Sequence, residues 1–234
     1  MKKLFLSLAA LFVSAAVMAQ QDVKIEFFTP SIVHVVKGQP TKTLVVTAKP
    51  SDVAVKQSGK TWQSSELIVK QDAQGNLTFL TAKGKVLLKE KNCDVSGARQ
   101  TFTLDKNEAI YGLGTIQDGK MNRRGTHKRM EQSNLEDFQN VLQSIKGWGI
   151  YWENYSPTLF EDNAQGMTFD AEAGQGIDYY FMYGGSADGV IAQMRWLSGD
   201  VPMFPLWTYG FWQSKERYKS SKELLGVVDK YREL

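Results

Sequence analysis

From Val23 to about Met182 the chain is a succession of short runs in which β-branched, aromatic and other apolar residues mix with polar ones at a period near two. "VKIEFF", "SIVHVV", "TLVVTA", "ELIVK", "LTFLTA", "KVLLK", "QTFTL", "GWGIYW" and "DYYFMYG" each read as a strand. Turn chemistry separates many of them, notably at Ala73-Gln74-Gly75-Asn76 and Lys83-Gly84-Lys85. The alternation in "LTFLT" and "ELIVK" gives those strands one wet face and one dry face. Strands at this density, without an internal repeat, predict a mainly β protein built as an antiparallel β-sandwich.

The period changes at Ser186. "SADGVIAQMRWLSGD" sets Val190, Ile191, Met194 and Leu197 at helical spacing, with Ser186 and Asp188 to cap the start and Gly199 to stop it. A proline-marked linker, Val201 to Pro205, leads to "PLWTYGFWQSKERYKSSKELLGVVDKYREL". That tail reads as one buried strand, a polar loop and a helix. Ser220 and Glu223 form its capping box, and Leu224, Val227, Val228 and Tyr231 form its apolar stripe. A strand followed by a helix is half of a βαβ unit. The stripe is therefore expected to pack on the sandwich or stay partly exposed, with self-association through the last helix as a consequence.

The first residues follow another pattern. Lys2 and Lys3 precede an apolar run from Leu4 to Val17, and Val17-Met18-Ala19 supplies small residues for cleavage. Residues 1–19 read as a secretory signal cut before Gln20, because the run is shorter than the roughly 20 apolar residues of a membrane span. The mature chain is expected to be soluble and exported, to the periplasm or the extracellular space.

Charge and chemistry narrow the choices further. Without Lys2 and Lys3, the 28 basic and 25 acidic residues leave a net charge of +1, which gives no electrostatic reason to expect nucleic acid or a membrane surface. Cys93 is the single cysteine, so no intrachain disulfide can form. His34 and His127 lie far apart, outside any close ligand spacing, and His34 in "IVHVV" reads as a strand residue; no metal and no cofactor are expected. Walker loops, G-x-S-x-G elbows and H-E-x-x-H helices are missing. "YGLGTIQDG" (Tyr111 to Gly119) is glycine-rich and reads as a loop between strands. "GKMNRRGTHKRMEQSN" (Gly119 to Asn134) reads as a long exposed excursion, either a ligand-meeting loop or a solvated one. The aromatics between Trp148 and Tyr183, and Trp207, Tyr209, Phe211 and Trp212, are core residues or platforms for sugar rings.

Four separated stretches carry a resemblance: "EAIYGLGTIQDGKMNRRG", "KGWGIYWENYSPTLFED", "IDYYFMYGGSADGVIAQMRWLSGDVPMFPLW" and "YGFWQSKERYKSSKELLGVVDKYREL". In order and spacing they resemble the N-terminal part of glycoside hydrolase family 31, which includes α-glucosidases and α-xylosidases. The resemblance implies a galactose-mutarotase-like β-sandwich over residues 20–200 and, over 201–234, a linker and the first βα unit of a (β/α)8 barrel. "LWTYGFWQS" would be the first barrel strand.

The family retains anomeric configuration with two aspartates, a nucleophile and an acid/base set roughly 5 Å apart. Both come from later barrel strands, so the resemblance implies no catalytic residue within these 234 residues and a truncated, inert chain. The implied substrate is an oligosaccharide carrying α-xylosyl or, next, α-glucosyl groups. In many family α-glucosidases a sandwich loop carries an Asn-Arg-Asp triplet that binds sugar. It matches Asn122, Arg123 and Arg124 here, and a guanidinium in place of the carboxylate would change what the loop holds. Trp212, Gln213, Lys215 and Arg217, at the end of the implied first barrel strand, would line the sugar pocket or else cap strand and helix ends. A stand-alone carbohydrate-binding or structural β-sandwich is the alternative from a different class.

Overall fold

The computed structural model describes residues 23–234, so the leader reading lies outside the described residues. Two compact units follow each other, one up to Gly199 and one from Asp200 to Leu234.

The first unit begins with a hairpin of β1 (Val23–Thr29) and β2 (Ile32–Gly38). A meander follows: β3 (Lys56–Ser58), β4 (Thr61–Gln63), β5 (Leu67–Gln71), β6 (Leu77–Thr81), β7 (Val86–Asp94) and β8 (Arg99–Thr103). Then come β9 (Ile110–Thr115), β10 (His127–Met130), β11 (Asp137–Ser144), β12 (Trp148–Trp152), β13 (Thr158–Asn163), β14 (Gly166–Ala171), β15 (Gly176–Tyr183) and the helix α1 (Ala187–Ser198). They make two antiparallel sheets, a six-stranded one ordered β1-β2-β15-β12-β11-β9 and a nine-stranded one ordered β10-β13-β14-β8-β7-β6-β5-β4-β3.

Alternation decides what lies between the sheets. Phe79 and Leu77 of β6, Phe102 of β8, Phe160 of β13 and Phe169 of β14 meet Trp148 and Trp152 of β12 and Tyr179 and Phe181 of β15, all fully buried. Phe79 stacks on Phe181 with ring centroids 4.1 Å apart, and Trp152 on Phe169 at 5.3 Å. The other face of β15 is dry as well. Tyr180 and Met182 join Phe28, Ile32 and Tyr151 in a second cluster, sealed by Val190 and Leu197 of α1. Its rim includes His34, a strand residue of β2 as expected, which stacks on Tyr180 at 4.2 Å and reaches Asp178 at 2.7 Å.

The predicted strand "TLVVTA" is not one. Thr43 to Ala48 forms an irregular strap. The amides of Thr47 and Ala48 donate to the Leu197 carbonyl, those of Val45 and Val46 donate to the Thr43 hydroxyl, and Val45 and Val46 pack on the second cluster. With the N–H groups of Leu44 to Ala48 spent on the Tyr155 and Thr43 hydroxyls and the end of α1, the strap has none for a ladder.

The helix itself follows the sequence. Ser186 Oγ accepts from the Gly189 amide 3.1 Å away, and Gly199 ends it at φ +85°. In the second unit a 3-10 turn spans Leu206–Tyr209 and α2 spans Ser221–Glu233, so the strand expected from "LWTYGFWQS" is also replaced. A strand exists through ladder bonds to a neighbour, and no strand lies among residues 200–234. Ser220 caps α2 by accepting from the Glu223 amide, and Glu223 returns a bond to the Lys219 amide, 2.8 Å away.

Candidate functional site

The region expected to be loops is partly sheet. "YGLGT" lies in β9, hydrogen-bonded to β11, and His127–Met130 of the polar excursion is an edge strand paired with β13. Between them runs the Asp118–Thr126 loop with the predicted triplet.

Each member of that triplet is engaged within the loop or with the strands beneath it. Arg123 is buried; Nη1 reaches Asp118 Oδ2 at 2.8 Å and Nη2 bonds the Lys120 carbonyl. The Lys120 amide and Arg123 together hold the Asp118 carboxyl below the usual carboxylate range. Arg124 donates Nε to Asp162 Oδ2 at 2.8 Å and Nη1 to the carbonyls of Asp105 and Glu108 at 2.8 and 2.7 Å. Asn122 Oδ1 accepts from the amides of Ile110 and Arg124, both at 3.2 Å. Asp162 also takes the Gly125 amide at 2.7 Å. The arginine at the third position is a brace of the loop, and Asn122 and Arg124 border a shallow depression beside Asp162 and Asn163.

A better-formed cavity, of about 500 Å³, opens elsewhere on the first unit, along β11 on the side of the six-stranded sheet that carries the strap and α1. Val45 of the strap, Met194 of α1, Met130, Phe138, Val141 and Tyr151 give it apolar walls. Gln132, Gln139 and Asn140 add amides, and Tyr155 to Pro157 close one side.

Hydrogen bonds fix this lining. Gln132 pairs with the backbone of Phe138 as a strand would, accepting its amide and donating to its carbonyl, both at 2.9 Å. Asn140 Nδ2 donates to the Asn154 carbonyl. Asn154 Oδ1 in turn accepts the Ser156 amide and hydroxyl at 2.8 Å each.

Behind the wall sits Glu153, which is buried. It accepts from the Thr43 hydroxyl at 2.8 Å, from the Tyr151 hydroxyl at 3.1 Å and from the Tyr155 hydroxyl. Burial, the bond to Tyr155 and the charge of Glu153 push the Tyr151 hydroxyl far above its ordinary range. Tyr151 is therefore a fixed neutral donor at physiological pH. Glu131 is the single carboxylate among the lining residues. The cleft combines aromatic and apolar surface with planar amides, which suits a sugar ring, and it lacks the carboxylate pair that glycoside cleavage needs. Sequence reasoning missed it because its walls come from six segments that only the fold brings together.

The barrel-strand candidates lie in the second unit. Trp212 donates Nε1 to the Thr208 carbonyl at 2.9 Å and sits 5.8 Å from Trp207. Gln213 accepts from the Tyr231 hydroxyl at 2.9 Å, and Lys215 pairs with Glu223. Arg217 is exposed. Gln213 and Lys215 thus tie the loop to α2.

The first unit is a two-sheet antiparallel β-sandwich closed on one side by a helix and an irregular strap. Residues 9–161 match the profile of the glycosyl hydrolase 31 N-terminal galactose mutarotase-like domain, and residues 201–234 match that of the glycosyl hydrolases family 31 TIM-barrel domain. The chain belongs to glycoside hydrolase family 31.

An alpha-xylosidase of Saccharolobus solfataricus is 33% identical over 207 residues, 85% of this chain and 28% of that protein. The chain thus spans little more than a quarter of that relative's length. Among solved structures, the family 31 α-xylosidase of Xanthomonas citri superposes with a TM-score of 0.77 at 19% identity, over 93% of this chain and 42% of that one. A family 31 α-xylosidase from a soil metagenome, complexed with xylose, gives a TM-score of 0.76 at 22% identity, over 90% of this chain and 37% of that one.

Proposed function

We propose that this chain is the N-terminal portion of an exported, retaining α-glycoside hydrolase whose substrate is an oligosaccharide with α-linked xylosyl groups, and next α-glucosyl groups. The observation that carries this reading is the succession of the two family 31 matches along one chain, together with the α-xylosidase relative at 33% identity. On this reading residues 23–199 are the scaffold, and their cleft between β11, α1 and the strap is the sugar-facing surface. Residues 200–234 open the barrel. The two catalytic aspartates belong to barrel strands beyond that opening, so the 234 residues alone bind without cleaving.

The test is an assay of the purified chain with an aryl α-xyloside and an aryl α-glucoside, beside the same chain joined to a complete family 31 barrel. Turnover by the joined protein and none by the chain alone is expected. Turnover by the chain alone would overturn the claim that the carboxylates lie elsewhere. Tight binding of an oligosaccharide without turnover in either form would favour the stand-alone binding module. Export is tested separately: the secreted protein should begin at Gln20 on N-terminal sequencing.

A further inference from the structure

β9 and β11 do not match residue for residue. Phe138 pairs with Gly114 and Leu142 with Gly112, so Gln139, Asn140 and Val141 stand opposite Leu113 alone. Two surplus residues must leave the ladder, which makes this larger than the ordinary two-against-one bulge.

The cause lies on β9. Gly112, Leu113 and Gly114 take φ values of +118°, +66° and +85°. A Cβ on Gly112 would fall 2.4 Å from the Val141 carbonyl oxygen, and one on Gly114 would fall 2.0 Å from that of Asp137. No side chain fits at either place, so the β9 backbone presses on β11 at both ends of the bulge. Leu113, between them, is a fully buried non-glycine residue in the left-handed region, a conformation that persists only where its surroundings impose it.

The displaced residues are walls of the cleft: Gln139, Asn140 and Val141 all line it. Asn140 is tied to Asn154 through Nδ2. Gln139 is exposed, and its amide makes no hydrogen bond to any described residue. It is a planar donor and acceptor at the wall with both functions open, placed there by the backbone of the bulge.

We propose that Gly112-Leu113-Gly114 is a positioning element and that the bulge it enforces makes Gln139 the specificity-determining contact of the cleft. Its amide reads a vicinal diol of a pyranoside, Nε2 donating to one hydroxyl and Oε1 accepting from the next. This inference rests on the reading of the cleft as sugar-facing.

The test titrates methyl α-D-xylopyranoside into the isotope-labelled chain and follows amide resonances. Wild type should show shifts at the Gln139 side-chain NH2 and at Phe138 and Tyr155. Gln139→Ala should weaken the Kd about threefold to tenfold, the loss of one or two neutral hydrogen bonds, at an unchanged urea midpoint. Gln139→Leu, which keeps most of the size but loses both donor and acceptor, should weaken it similarly. Gly114→Ala should move the amides of residues 137–142 and weaken binding; if it does not fold, the two Gln139 variants still decide. Shifts at Phe138 and Tyr155 with an unchanged Kd in Gln139→Ala would overturn this inference and leave the cleft reading intact. No shifts at any cleft residue in wild type would overturn both.

Discussion

Lys37 Nζ lies 2.7 Å from Glu90 Oε2 with both side chains wholly shielded from solvent, although Lys37 belongs to β2 of one sheet and Glu90 to β7 of the other. Both members have further hydrogen-bond partners. Gln100 Oε1 accepts from Lys37 at 3.0 Å, and Glu90 also accepts from the Tyr179 hydroxyl at 2.7 Å and the Leu77 amide at 2.6 Å. A buried charge is tolerated only with such partners.

Lys37→Met should therefore destabilise the chain by about 3–5 kcal/mol, because Glu90 is left charged in the core. Lys37→Met with Glu90→Gln should recover a large part, since the glutamine oxygen can still accept from the Leu77 amide while its NH2 donates to the Tyr179 hydroxyl. Urea midpoints of the two variants decide the matter, and equal losses would show that the charge is not the cost.

Alkaline pH should unfold the sandwich earlier than its core size suggests. Burial, then the charge of Glu90, pushes the Tyr179 hydroxyl well above its ordinary value, and burial does the same for Tyr180. For Lys146, burial opposes the charge, but Asp105 and Glu108 outweigh it and raise the value. Groups whose folded pKa is raised contribute fully below their unfolded pKa and lose that contribution as pH climbs toward the folded one. Stability should hold from neutral pH to about pH 10, the ordinary range of tyrosine and lysine, and fall above it. Tyr179→Phe should lessen that fall, as read from urea midpoints across pH.

Gly189→Ala reverses a familiar expectation. Alanine inside a helix gains about 1 kcal/mol over glycine. In α1, however, the added Cβ would fall 2.0 Å from the Gly184 carbonyl oxygen, where the helix meets the end of β15. A net loss of about 1–3 kcal/mol is expected from the forced backbone shift. A gain in thermal midpoint would mean the helix slides without cost.

Asp162→Ala should loosen the Asp118–Thr126 loop by leaving the Gly125 amide and the Arg124 Nε without their acceptor. Losing hydrogen bonds from donors that water can reach should cost about 0.5–1.5 kcal/mol. Amide exchange at Gly125 and Thr126 should speed up while that of β5 and β6 stays unchanged.

Residues 200–234 expose Trp207, Tyr209, Phe211 and Trp212, each by more than 60%. Apolar surface of this kind drives association. Sedimentation velocity of residues 20–234 should show species larger than a monomer, and a form ending at Pro205 should be monomeric.

Much of this molecule is legible in its sequence. The β-rich body, the inward alternation of β5 and β6, and the caps Ser186, Gly199 and Ser220 depend on neighbours close in the chain, so local pattern reveals them. The strap is different: Thr43 to Ala48 has strand composition, and only the distant Leu197 carbonyl diverts its amides. β9 was hidden by its glycines, which serve the close approach of β11. Arg124 looked like a ligand group because its acceptors at Asp105, Glu108 and Asp162 are far away in sequence. The cleft was invisible for the same reason.

The position of β2 has a consequence for synthesis. It sits between β1, its neighbour in the chain, and β15, which ends at Tyr183. At the usual 5–20 residues per second, roughly 7–30 s separate the emergence of the first hairpin from that of the strand that completes its sheet. Throughout that interval the side of β2 that faces β15 has no strand beside it, and the Lys37 ammonium lacks its counter-charge until Glu90 of β7 has emerged. The nascent chain must be shielded until its last strand arrives, and a ribosome stalled before Tyr183 would display an unpaired, apolar sheet edge.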